Sequence, residues 1–255
     1  MIQLDTIYNQ DCMIGMKEIP DGTVDLILSD LPFGISAHKW DSILPLDELF
    51  AEYKRILKRG GVIILFCVMT FAVKLIAACP DWYKYDLVWL KTHGTDFFNA
   101  KRKPLQAHEN ILVFCEKLAK TTYNPQYVHG KPYDARPIKK SDSKGYRVAR
   151  KLTLGSPDGK RYPLSYIKYG KEQTVKGNMH PTQKPAALLE WLIRTYSNPG
   201  DTVLDNCCGS GSTLVAAKKL RRHYIGYEID EMYYNMTKKN LKKADFVQIT
   251  MFDGV

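Results

Sequence analysis

The apolar residues of this chain follow two rhythms. Short, nearly unbroken runs closed by turn-forming residues alternate with longer stretches in which apolar positions recur every three or four residues. The runs "TVDLILSD" (23–30), "VIILFC" (62–67), "YDLVWLK" (85–91) and "ENILVFCE" (109–116) predict strands, as do the start of "DTVLDNCCGSGST" (201–213) and "HYIGYEI" (223–229). Helical spacing appears in "LDELFAEYKRILK" (46–58), with Leu46, Leu49, Phe50, Tyr53, Ile56 and Leu57 on one face and Gly60-Gly61 as the expected stop. Further helices are predicted over 71–79 before Pro80, over 185–196 with Pro185 at the start, over about 212–222, and from about 230 onward. Strands alternating with helices imply an α/β fold with a mostly parallel sheet covered on both faces.

The rhythm fades between 118 and 179, where the chain turns polar and rich in Lys, Tyr, Gly and Pro. This predicts two parts: a core from 1–117 and 180–255, and an inserted region at 118–179. The 255 residues suffice for that arrangement, and a 45% hydrophobic share can supply a real core. Charge sharpens the division. Of the net +10, the whole surplus lies in 120–178, which holds 14 Lys/Arg against 4 Asp/Glu, while the remaining 196 residues carry 23 of each sign. Seven of the 16 tyrosines are in the same segment. Cations interleaved with tyrosines suit a phosphate backbone with nearby bases, although a solvated basic loop has the same composition.

Other classes recede. No run of 18 or more apolar residues is present. "MIQLDTIYNQDC" lacks the basic start and apolar run of a signal peptide. Six cysteines without CxxC spacing make a metal site or a disulfide framework a poor reading, so free thiols in a reducing cytoplasm are expected.

Two strand ends carry chemistry, and in such sheets ligands bind beyond the carboxyl ends of the strands. The first is "SDLPFG" (29–34), a buried-looking strand that ends in a carboxylate, a proline, a ring and a glycine. The second is "VLDNCCGSGSTLVAA", a strand, then Gly209-Ser210-Gly211, then a helix. Glycines there let backbone approach a ligand, and a helix N-terminus offers free N–H groups. A dinucleotide fingerprint would need a small residue at Leu214, which counts against a nicotinamide or flavin. Glu228 ends the next strand, where a carboxylate can accept hydrogen bonds from both ribose hydroxyls or cap the following helix. Adjacent Cys207 and Cys208 read as small packing side chains, since neighbouring cysteines form only strained disulfides.

"SDLPFG", "HPTQKP" (180–185) and "DNCCGSGST" together resemble the amino-methylating DNA methyltransferases, and their order resembles the β-class, with the target-recognition region between the two halves. The resemblance runs from "NQDC" to the last helix. It implies a Rossmann-like fold with a mixed, mostly parallel sheet and an inserted target-recognition region. The implied cofactor is S-adenosylmethionine (AdoMet), with double-stranded DNA as substrate and a homodimer or a cognate restriction endonuclease left open as partners.

The family's D-P-P-Y motif maps onto Asp30, Leu31, Pro32 and Phe33. By resemblance, the Asp30 carboxylate and the Leu31 carbonyl accept hydrogen bonds from the target amine, and Phe33 stacks on a base flipped out of the duplex. Leucine replaces the first proline and phenylalanine the tyrosine. The carbonyl and the stack survive both changes. Cofactor contacts implied in the same way are Asp11 and Cys12 of "NQDC", Asp30 itself, His180, Thr182 and Lys184 of "HPTQKP", then Asp205, Asn206, Gly209, Gly211, Ser212, Thr213 and Glu228. Asp11 also reads as an ordinary turn aspartate. Asn206-Cys207 replaces the family's usual Pro-Phe. Trp40 and Asp41 fit a loop over the base or plain packing. The leading aspartate favours adenine over cytosine. Arg136, Arg147, Arg150 and Arg161 are candidates for reading guanine edges or gripping phosphate, and "FFNAKRKP" (97–104) adds a basic stretch beside the catalytic half. RNA or protein-glutamine methylation and a non-catalytic DNA-binding module are the competing functions.

Overall fold

The computed structural model describes residues 2–34, 42–117, 119–136, 154–170 and 183–252. The chain divides into two compact units, Met1–Asn124 with Ser165–Val255, and Pro125–Leu164.

The larger unit is built on eight strands: β1 (Thr6–Tyr8), β2 (Val24–Ser29), β3 (Leu57–Cys67), β4 (Tyr83–Thr95), β5 (Gln106–Phe114), β10 (Tyr166–Lys168), β11 (Thr202–Asp205) and β12 (His223–Tyr227). Their spatial order is β1-β12-β11-β2-β3-β5-β4-β10. β5 pairs antiparallel with both β3 and β4, while every other pairing is parallel, so β5 runs against the other seven. The result is a mixed, mostly parallel sheet of the Rossmann-like kind.

The unbroken apolar runs have a direct cause. Both faces of the sheet are covered, so odd and even positions are buried alike. Along β2 and β3, Ile27, Ile63 and Leu65 pack into one core with α2 (Leu46–Ile56) and α3 (Met69–Ala78). Their neighbours Leu26, Leu28, Ile64 and Phe66 pack into the other, with α4 (Ala186–Tyr196), α5 (Ser212–Lys219) and Leu241 of α6 (Glu231–Phe252).

Several sequence expectations shift by a residue or two, and one was wrong. The helix expected over 46–58 ends at Ile56, and Gly60-Gly61 is not its stop but lies inside β3. Leu57 is already extended and pairs with Val24, and pairing resumes at Leu26 with Val62. The extra residues of β3 form a bulge in which Gly60 takes φ +87°. A Cβ on Gly61 would sit 2.9 Å from the Asp25 carbonyl, so glycine is required by the bulge. Strand β1 and the single-turn α1 (Cys12–Gly15) escaped the sequence reading, because three or four residues carry too little periodicity. β10 falls within the aperiodic 118–179 stretch yet belongs to the main sheet, beside β4.

The smaller unit has two antiparallel strand pairs: β6 (Val128–His129) with β9 (Lys160–Arg161), and β7 (Tyr133–Arg136) with β8 (Leu154–Ser156). Cations lie on rings there. The Arg161 guanidinium is 4.3 Å from the Tyr133 ring centre, and Lys160 Nζ is 5.9 Å from that of Tyr127.

Candidate active site

Chain order reverses between β2 and β11: from β2 the chain moves out through β3, and from β11 it moves the other way through β12. Such a switch point leaves a crevice beyond the strand ends, because the flanking connections diverge. Here that crevice is a cleft of about 1200 Å³. The strands that flank it end in Asp30 and Asp205. They are tied together by Ser29, whose Oγ donates to Asp205 Oδ1 at 3.0 Å.

Asp30 sits in a four-charge cluster. Lys184 Nζ lies 2.6 Å from Asp30 Oδ2 and 3.3 Å from Glu109 Oε2, and Lys91 Nζ lies 2.6 Å from Glu109 Oε1. Only 9% of the Lys184 side chain is exposed, and its ammonium also lies 5.1 Å from the centre of the Phe66 ring. Burial pushes that ammonium down, but Asp30 and Glu109 outweigh burial and hold it above the usual lysine range. Burial likewise pushes the Glu109 carboxyl up, and Lys184 and Lys91 reverse this and leave it below the usual range. At Asp30 burial wins: the carboxyl is raised although Lys184 opposes it. Oδ1 of Asp30 is buried and has no hydrogen-bond partner among the described residues. A buried acceptor left unpaired is costly, and a cleft that admits a donor would relieve the cost.

Leu31, Pro32 and Phe33 continue along the wall. The Phe33 ring leans on Phe71 with centroids 5.3 Å apart. Leu31 is itself buried, which explains why an apolar residue can stand in that place.

The second strand end is saturated. Asp205 Oδ1 accepts from Ser29 Oγ and, at 3.2 Å, from Cys207 N. Burial raises its carboxyl to about 6, with a hydrogen bond from Thr213 among the opposing contacts. Asn206 turns its amide inward: Oδ1 accepts from Tyr53 Oη at 2.6 Å, and Nδ2 approaches the sulfurs of Cys12 and Cys207. Gly209 and Gly211 have φ +52° and +77°. A Cβ on Gly209 would meet open space, whereas one on Gly211 would lie 2.3 Å from Thr237 Cγ2. The first glycine therefore opens the cleft and the second lets α6 close on the turn.

Glu228 holds that turn by its carboxylate, accepting from Gly209 N at 2.8 Å and Asp230 N at 2.9 Å. It does not cap α6. Asp230 does, accepting from Met232 N and Tyr233 N at 2.8 and 3.1 Å. The Ile229 backbone also donates to this carboxylate, which leaves about one of its four acceptor sites for a ligand. Asp11 caps α1, accepting from Met13 N at 2.7 Å, and faces the same cleft with Cys12.

The cleft thus gathers Asp11, Cys12, Asp30 to Phe33 and Lys184. It also gathers Asp205, Asn206, Gly209, Ser212, Thr213 and Glu228. Gly211 serves behind the turn. His180, Thr182, Trp40, Asp41, Arg147 and Arg150 lie outside the described residues, and so does the side chain of Arg136. Sequence reasoning missed Glu109 and Lys91, which no local motif marks. A signal existed in hindsight: each borders an apolar run, Lys91 just after Leu87–Leu90 and Glu109 two residues before Ile111–Phe114. All six cysteines are free thiols. Among the described residues no helix is long and apolar enough to cross a membrane, and no acidic, histidine or cysteine cluster could hold a metal ion.

Comparison with known proteins agrees with this geometry. The family model for N6/N4 DNA methylases matches residues 24–239. The Type II methyltransferase M.BglII of Bacillus subtilis is 29% identical over 91% of this chain and 68% of its own length. The Type II methyltransferase M1.MboII of Moraxella bovis is 29% identical over 96% of this chain and 99% of its own. Among solved structures, the M1.HpyAVI–SAM complex superposes with a TM-score of 0.62 and 27% identity, covering 92% of this chain and 98% of that one.

Proposed function

The chain belongs to the N6/N4 family of DNA methylases, AdoMet-dependent enzymes acting on exocyclic amino groups, and from that premise we propose that it methylates the amino group of adenine flipped out of duplex DNA. The observation that carries this reading is the buried Oδ1 of Asp30, without a hydrogen-bond partner among the described residues, on a side chain that lines the cleft.

The cleft fits the cofactor. Open space beside Gly209 admits a ligand against backbone, and Glu228 keeps acceptor capacity for a ribose hydroxyl. Asp205 and Asn206 hold the turn rather than reach outward. Asp11 and Cys12 line the same cleft and by their motif would lie near the cofactor's adenine, and His180, Thr182 and Lys184 complete the set by theirs. When bound, AdoMet supplies an electrophilic methyl group on a sulfonium.

The protein's own residues then have separable tasks. An exocyclic amine is a poor nucleophile because its lone pair is delocalised into the ring. Asp30 Oδ1 accepts one amino hydrogen and the Leu31 carbonyl accepts the other, which favours a more pyramidal and more nucleophilic nitrogen. Phe33 stacks on the base, backed by Phe71. Lys184 opposes the burial that raises the Asp30 carboxyl and binds Oδ2, which leaves Oδ1 for the substrate. In this reading Asp30 Oδ1 takes the proton released from nitrogen after transfer. Alignment of amine and methyl group supplies much of the rate. The basic segment, with Arg161 among its described residues, supplies salt-sensitive contacts to the duplex.

The test is nucleoside mass spectrometry on DNA from a methylation-deficient bacterial host that expresses the chain, with Asp30→Ala as control. N6-methyladenine that vanishes in the control is the expected result. Methylation on the cytosine amino group would keep the family and overturn the choice of base. No modified base of either kind would overturn the reading.

A further inference from the structure

The β4–β5 hairpin carries a feature that methyl transfer does not use. Thr95 at the end of β4 faces Gln106 at the start of β5 in register, with Thr95 Oγ1 donating to the Gln106 carbonyl at 3.1 Å. The ten residues between them form an ordered turn. Asp96 adopts φ +71°, accepts from Asn99 Nδ2 at 2.7 Å and pairs with Lys103 at 2.6 Å. The N–H groups of Asn99, Ala100, Arg102 and Lys103 all bond carbonyls inside the turn at 2.8 to 3.1 Å. Yet this platform holds two rings in solvent: Phe97 is 66% exposed and Phe98 fully so. Lys101, Arg102 and Lys103 follow, all exposed. Thr95, Asp96, Lys103 and Gln106 line the cleft, so the turn stands at its rim.

We propose that this turn enters duplex DNA and that Phe98 takes the place in the base stack vacated by the flipped nucleotide. The inference rests on the flipped-base reading given above. Taking a base out of a duplex leaves an unstacked gap, and an apolar side chain inserted there recovers part of the lost stacking. A phenyl ring suits a gap of any sequence, because every base offers a π-face. The three cations beside it suit the phosphates flanking that gap. A rigid turn is needed for insertion, since a ring on a loose loop would lose its gain to ordering. The Asp96 clamp supplies that rigidity.

The experiment uses the full chain, wild type and four variants. Phe98 is a surface residue, so Phe98→Ala should fold. Methyl incorporation from labelled AdoMet is measured on plasmid DNA as duplex and after heat denaturation. Phe98→Ala should lose about tenfold to a hundredfold on duplex while keeping most of the wild-type rate on single strands. Phe98→Leu should recover part of the duplex rate, and Phe97→Ala should lose less than Phe98→Ala. Phe98→Trp adds a direct signal: its fluorescence should be quenched by duplex DNA beyond any change in the wild type, as for an indole stacked between bases. No added quenching, or an equal loss on both DNA forms, would overturn the insertion. So would a Phe98→Ala protein that methylates duplex normally but changes its mass in solution, which would assign the rings to a second copy of the chain. Wild-type protein inert on both DNA forms would instead sink the functional reading, and the tryptophan signal would still decide the insertion.

Discussion

Asp30 and Asp205 end neighbouring regions of one sheet, only a serine apart, and their surroundings differ sharply. Asp30 faces a cation, and one of its oxygens has no hydrogen-bond partner among the described residues. Asp205 faces neutral donors from Ser29, Cys207 and Thr213. Burial raises both carboxyls. The difference lies in what opposes it. A lysine opposes that rise at Asp30 and takes an acceptor site on Oδ2 alone, while hydroxyl and amide donors engage Asp205. The first arrangement leaves an oxygen for an incoming donor; the second fixes a turn.

The comparison can be broken at four points. The largest effect is expected at Asp30 itself. Asp30→Ala should lower methyl transfer by about a thousandfold, as for a positioned acid–base group, and should also lower the melting temperature, because the buried Lys184 ammonium loses the nearer of its two carboxylates. A variant within tenfold of wild type in single-turnover assays would remove the basis for the contrast. Next comes Lys184→Met, which leaves Asp30 and Glu109 without their shared cation. Breaking such a buried pair should cost about 3–5 kcal/mol in denaturant unfolding. It should also move the acidic limb of the rate profile to higher pH, because losing the cation raises the Asp30 pKa further. An unmoved limb would show that Lys184 does not set the charge of Asp30.

Asp205 should respond in stability rather than in rate. Its carboxyl is raised from 3.8 to about 6, so the folded state holds this proton more tightly than the unfolded chain does. The contribution is fully present below the unfolded value and is lost as pH rises through the folded one. That loss amounts to at most about 3 kcal/mol. Asp205→Asn should remove this part of the pH dependence between roughly pH 4 and 6, which melting curves across that window would reveal. The smallest effect belongs to Ser29→Ala, about 1 kcal/mol for one buried hydrogen bond, read from the same curves. A far larger loss would mean that the serine positions both carboxylates.

Much of the site was legible along the chain because its signals are local. A strand, then "DLPFG", and a strand, then "GSGST", each place their ligand-facing atoms within a few residues of a strand end. The doubly covered sheet was legible for a similar reason: six nearly unbroken apolar runs leave little face for water. Local signals also misled. Gly60-Gly61 looks the same as a helix stop and as a strand bulge, and only the partner strand, through Val24 and Leu26, decides between them.

The sequence by itself determined the alternation of strands and helices, the two chemical strand ends, the family, and the concentration of positive charge in one segment. These depend on residue type and short spacing, which fix backbone period and turn geometry directly. The tertiary structure decided what each group answers to. Lys184 meets Asp30 across 154 residues, and Ser29 meets Asp205 across 176. Glu109 joins them only because β5 runs backwards beside β3, which brings its starting end to the edge where the parallel strands finish. Buried charges must find partners, but a chain in isolation does not say which. That choice is made when strand order sets which ends are neighbours.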